Sequence, residues 1–162
     1  MTGEQTSHIT IIYRDYGNEF TLTYAVDETT LNRALREVKE PTGKALKIWL
    51  EDRGCRLDSP DGPALLIRNA EGSTEDYYYR DGELHRDDGP AIVKRFADAS
   101  SEERYCRSGK LHREDGPAFV HRNADGTTRV EEYFRDGKTY LPSLCVIPGV
   151  TVRHAPKGPG PA

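Results

Sequence analysis

The sequence predicts a mainly β fold, in which tandem β-hairpin repeats form a twisted antiparallel sheet behind a small N-terminal ββαβ cap. Three observations predict it. The chain matches itself at a shift of 27 residues, so that Asp61-Gly62-Pro63-Ala64, Asp88-Gly89-Pro90-Ala91 and Asp115-Gly116-Pro117-Ala118 fall into register. Residues 84–91 and 111–118 agree at seven of eight positions, too many for chance. Each Asp-Gly-Pro-Ala is followed by a short apolar run and then a turn-forming group, the alternation expected of hairpins.

The cap occupies residues 1–48. Residues 8–14 and 19–25 alternate apolar and polar around Tyr16-Gly17-Asn18, which predicts a hairpin. Asp27 is placed to cap a helix whose Leu31, Ala34, Leu35 and Val38 share one face, and Pro41-Thr42-Gly43 ends it before an expected strand at residues 45–50. So small a unit must lean on something, and the open end of a repeat array offers an unpaired strand edge.

The array occupies residues 49–142. Leu65-Leu66-Ile67, Ile92-Val93 and Phe119-Val120 begin outgoing strands, each leading to an arginine at 68, 95 or 122. Turns follow at Asn69-Ala70-Glu71-Gly72, Phe96-Ala97-Asp98-Ala99 and Asn123-Ala124-Asp125-Gly126, and aromatic strands return through Tyr78-Tyr79, Tyr105-Cys106 and Tyr133-Phe134. Second turns at Asp81-Gly82, Ser108-Gly109 and Asp136-Gly137 need the positive φ that glycine supplies. Tyr78, Tyr105 and Tyr133 form one row, with Tyr79, Cys106 and Phe134 pointing the other way. Residues 143–154 predict a closing hairpin around Pro148-Gly149, and residues 155–162 a flexible Pro/Gly tail.

Composition narrows the function classes. With 31% charged residues and a mean hydropathy of -0.76, the chain reads as folded around a thin core. The array holds 15 basic and 20 acidic residues, and its basic positions are interleaved with carboxylates, which counts against direct nucleic-acid binding. Cys55, Cys106 and Cys145 have no metal-ligand spacing and read as reduced thiols of a cytoplasmic protein. No stretch approaches the apolar length of a membrane helix.

No nucleophile elbow, zinc-protease helix motif or phosphate-binding glycine loop is present, so no catalytic residue, metal or cofactor is assigned. His85 and His112 resemble acid/base residues, but they recur at one position in consecutive units, which marks them with Gly62, Gly89 and Gly116 as structural repeat residues. The glycines are expected to serve a backbone conformation that a β-branched residue resists before proline. The protein-binding candidates are Asp87, Asp88, Glu114 and Asp115 on the loops, Tyr79, and Arg95 and Arg122 of the arginine row. That row reads more readily as a cross-strand ladder to carboxylates such as Glu75 and Glu102 than as a recognition stripe.

Tyr79-Arg80-Asp81-Gly82-Glu83-Leu84-His85 followed by Gly89 resembles the MORN repeat, and more closely its bacterial and phage variants with an L-H-R-x-D-G-P-A core. The resemblance covers about 90 of the 162 residues. Arg86 and Arg113 stand where the better-known pattern has glycine, and a proline follows the second glycine, which with the acidic balance counts against lipid contacts. The resemblance implies β-hairpin repeats and, from its bacterial members, a role as antitoxin or toxin-immunity partner, or a phage protein. The expectation is a non-catalytic, protein-binding inhibitor of a bacterial enzyme or nucleoprotein complex, as a phage anti-defence protein such as an anti-CRISPR or as an immunity protein. The alternatives are a scaffolding repeat protein and an enzyme using the repeat histidines.

Overall fold

The computed structural model describes residues 7–38 and 42–141. The hairpin expected over residues 143–154, the tail over 155–162 and Cys145 lie outside the described residues. The cap begins with two nine-residue strands, β1 (Ser7–Asp15) and β2 (Asn18–Val26), paired antiparallel around Tyr16-Gly17, where both residues take positive φ. Helix α1 (Glu28–Glu37) follows, capped by Asp27, whose carboxylate accepts the Thr30 N–H at 2.6 Å.

Residues 45–50 correct the expected ββαβ cap to ββαα: they belong to a second helix, α2 (Gly43–Glu51). Leu46, Ile48 and Leu50 alternate as a strand would, while Leu46, Trp49 and Leu50 also lie on one helical face. The helix prevails because that face closes the cap's core. Ile11, Leu22, Tyr24, Val26 and Leu50 are buried there, with Leu46 and Trp49 packed against them, and Ile48 is left half exposed. Thr42 caps the helix by accepting the Ala45 N–H at 3.2 Å. Gly43 lies so close to β1 that a Cβ would sit 2.7 Å from the Ile12 carbonyl oxygen, so this approach admits only glycine.

The array is the hairpin meander that the sequence predicts. Strands β3 (Arg56–Leu57), β4 (Leu65–Asn69) and β5 (Thr74–Tyr77) are followed by a two-residue pair, β6 (Tyr79–Arg80) and β7 (Glu83–Leu84). The pattern returns as β8 (Ile92–Arg95), β9 (Ser101–Arg104), β10 (Cys106–Arg107) and β11 (Lys110–Leu111). It returns again as β12 (Phe119–Arg122), β13 (Thr128–Glu132), β14 (Phe134–Arg135) and β15 (Lys138–Thr139). The main sheet runs β1-β2-β4-β5-β8-β9-β12-β13 with β3 beside β2, antiparallel and open rather than closed into a barrel. The small pairs β6-β7, β10-β11 and β14-β15 form a second row.

The repeat is legible in the backbone hydrogen bonds. The Tyr78 N–H donates to the Ala91 oxygen and the Tyr105 N–H to the Ala118 oxygen, both at 2.8 Å, and the Thr23 N–H donates to the Ala64 oxygen at 2.7 Å. Strand β2 of the cap thus stands where a unit's returning strands stand elsewhere. The three alanines are fully buried. Both residues of Asp81-Gly82, Ser108-Gly109 and Asp136-Gly137 take positive φ, the conformation of a two-residue primed turn. The Gly82, Gly109 and Gly137 N–H groups donate to Leu57, Leu84 and Leu111 oxygens of the preceding unit, tying turn to turn. No helix among the described residues is long and apolar enough to cross a membrane.

Candidate functional site

The loops that join one unit to the next carry the repeated side-chain chemistry. In the second unit the Arg86 guanidinium carbon lies 4.0 Å from the centroid of the Tyr78 ring, while Nε donates to Asp88 Oδ1 at 2.9 Å. In the third, Arg113 lies 3.9 Å from the Tyr105 centroid, and its Nε donates to Asp115 Oδ1 at 3.2 Å. Each guanidinium also reaches the oxygen of the proline closing its loop, Pro90 or Pro117. The tyrosine face attracts the cation while the carboxylate and carbonyl take its N–H groups.

This stack corrects the reason for the Asp-Gly-Pro glycines. Gly62, Gly89 and Gly116 are not among the residues with positive φ, so no special turn conformation requires them. A Cβ on Gly89 or Gly116 would instead meet the guanidinium of Arg86 or Arg113 at 3.2 Å. In the first unit Ser59 replaces the arginine, and a Cβ on Gly62 would meet nothing within 4 Å.

His85 and His112 couple neighbouring units. His85 Nδ1 accepts the Ser108 N–H at 3.3 Å, and its Nε2 lies 3.0 Å from Asp87 Oδ1. Arg80 Nη2 donates to Asp87 Oδ2 at 2.7 Å, so His85 and Arg80 together hold the Asp87 carboxyl well below its usual range, to about 2. His112 Nδ1 faces Asp136, with the carboxylate Oδ1 at 2.9 Å and the backbone N–H at 3.2 Å. Each histidine thus touches the turn of the following unit.

The loop carboxylates point outward. Asp88 and Asp115 are 82% and 85% exposed, while the Arg86 and Arg113 side chains beside them are 28% exposed and turned onto the tyrosines. Asp87 and Glu114 are also largely exposed. The loops before β4, β8 and β12 lie two strand spacings apart, about 9–10 Å, and clefts open between them.

The other binding candidates lie elsewhere. Arg68, Thr74, Arg95, Ser101, Arg122 and Thr128 form one row across neighbouring strands by direct register. Arg95 pairs with Asp76 at 2.8 Å and Arg122 approaches Glu103 at 3.9 Å, diagonal neighbours on the same face. The ladder is therefore present but its carboxylates are Asp76 and Glu103. Glu75 and Glu102 lie on the opposite face, paired with Lys94 and Arg104 at 2.7 Å each. Tyr79 sits opposite Leu84 in the second row, half-buried, and that burial pushes its phenol upward.

Sequence reasoning did not place Arg86 on Tyr78 or Arg113 on Tyr105, and it missed Arg80, Ser108 and Asp136 as partners in these loops. The one signal available was that Tyr78/Arg86 and Tyr105/Arg113 repeat together and that Ser59 replaces the arginine in the first unit. No protein-family model, curated protein or solved structure matches the chain.

Proposed function

We propose that this chain is a non-catalytic MORN-like repeat protein that inhibits by binding, covering the working surface of a bacterial enzyme or nucleoprotein complex. Its setting is conflict between phage and host or between toxin and target, as an anti-defence protein such as an anti-CRISPR or as an immunity protein. The observation that carries the reading is the row of outward carboxylates, Asp87, Asp88, Glu114 and Asp115, repeated on consecutive loops of an open sheet while Arg86 and Arg113 beside them turn inward. Such a surface complements a basic one, and an enzyme that holds nucleic acid presents a basic one. The histidines are engaged in holding adjacent turns, which supports a binding role over acid/base chemistry.

The test is affinity capture from the native host followed by assay of the captured protein. The expected result is a nucleic-acid-handling protein whose activity falls as the chain is added. Neutralising the four carboxylates as Asp87→Asn, Asp88→Asn, Glu114→Gln and Asp115→Asn should slow association and flatten its salt dependence in a folded protein. A captured partner that keeps full activity at saturation, or an association rate indifferent to the four changes, would overturn the reading.

A further inference from the structure

The three loops that lead into β4, β8 and β12 are anchored alike. At the start of each, a backbone N–H donates to the strand before it: Asp58 to the Thr23 oxygen, His85 to Tyr78 and His112 to Tyr105. At the end of each, the oxygen of Ala64, Ala91 or Ala118 accepts the N–H of that same strand residue. The loops have one length between these anchors, so equivalent residues stand at equivalent places.

In the second and third loops, an arginine of the loop itself lies over the glycine. Arg86 covers Gly89 and Arg113 covers Gly116, and each gives its guanidinium to the neighbouring aspartate and to the proline oxygen. The first loop keeps the receiving groups and lacks the arginine. Asp61 stands for Asp88 and Asp115, Pro63 for Pro90 and Pro117, and Ser59 for the arginine.

A Cβ on Gly62 would meet nothing within 4 Å, so the space that an arginine fills in the other loops is open. Asp61 is exposed, and neither its carboxylate nor the Pro63 oxygen has a hydrogen-bond partner among the described residues. Asp61 and Gly62 line a cleft of about 800 Å³ between the first and second loops, which makes the place accessible from solvent. The floor differs, because Thr23 stands where Tyr78 and Tyr105 stand. A cation here is therefore held by acceptors and not by an aromatic face.

We propose that the first loop binds the guanidinium of an arginine side chain supplied by the partner protein, seated over Gly62 with Asp61 and the Pro63 oxygen as its acceptors. A planar guanidinium reaches both acceptors through separate nitrogens, as Arg86 and Arg113 do, whereas an ammonium group has one nitrogen to offer. The functional reading enters only as the source of that arginine; the open site belongs to the isolated chain.

The experiment is a nitrogen-15 and proton NMR titration of the full chain with ethylguanidinium chloride, against ethylammonium chloride at equal ionic strength. Expected are saturable shifts of the Asp61, Gly62 and Ala64 amides with ethylguanidinium alone, and none at Gly89 or Gly116, whose places are filled. Asp61→Asn should raise the dissociation constant about tenfold, the loss of the charge from one hydrogen bond. Ser59→Arg, which supplies the missing side chain, and Gly62→Val, which fills the space, should each abolish binding. Equal shifts at the three glycines, an equal response to ethylammonium, or a dissociation constant unmoved by Asp61→Asn or by Ser59→Arg would each overturn the site. An inhibited partner without ethylguanidinium binding would remove this site and leave the functional reading standing. Saturable ethylguanidinium binding with no inhibited partner would do the reverse.

Discussion

At the scale of single residues, the loop glycines separate steric from conformational demand. Gly62, Gly89 and Gly116 share a sequence context and all precede proline, so any backbone cost of a larger residue is common to the three. They differ in what stands beside them. Gly89→Val would push Arg86 off Tyr78 and away from Asp88 and Pro90, losing a cation–π contact and weakening two hydrogen bonds at a cost of about 1–2 kcal/mol. Gly62→Val meets open space and should fall within about 0.5 kcal/mol of the parent. Urea unfolding of the two variants measures the difference, and equal losses would return the explanation to the backbone.

At the scale of elements, the hairpins show where the repeat tolerates strain. Each long hairpin of the array closes through three residues, the last of them left-handed: Gly72 (φ 91°), Ala99 (φ 66°) or Gly126 (φ 82°). Only the middle hairpin uses a residue with a Cβ, which crowds the following carbonyl oxygen in that conformation. Ala99→Gly relieves this but widens the unfolded ensemble, and the balance should stabilise the protein by about 0.5–1 kcal/mol. Thermal and urea unfolding should both move in that direction; an unchanged or lowered midpoint would mean that the Ala99 methyl group makes compensating contacts.

At the scale of the molecule, the cap and array share one continuous sheet and are expected to unfold together. Strand β2 pairs with β4 from Asn18↔Asn69 to Leu22↔Leu65, and Leu57 and Leu65 of the array pack against the cap's core. Deleting residues 1–48 removes β1, β2, α1 and most of α2, so β4 becomes a bare edge carrying Leu65, Leu66 and Ile67. The expected product aggregates on size-exclusion chromatography and shows no sharp melting transition. A monomeric fragment with a cooperative transition would place the boundary elsewhere.

The hairpin meander and its turns follow from the sequence alone, because the 27-residue repeat, the glycine-bearing turns and the alternation of side chains are local and recur in each unit. Asp27 as a helix cap is legible for the same reason. The second helix was decided by tertiary packing: residues 45–50 satisfy both the strand and the helix period, and only the need to cover Ile11, Leu22 and Tyr24 chooses between them. The contact between His112 and Asp136 is equally beyond the sequence, since it joins neighbouring units 24 residues apart along the chain. Local pattern fixes which residues form a strand or a turn, but contacts between units depend on register and side-chain reach, and those exist only once the sheet has assembled.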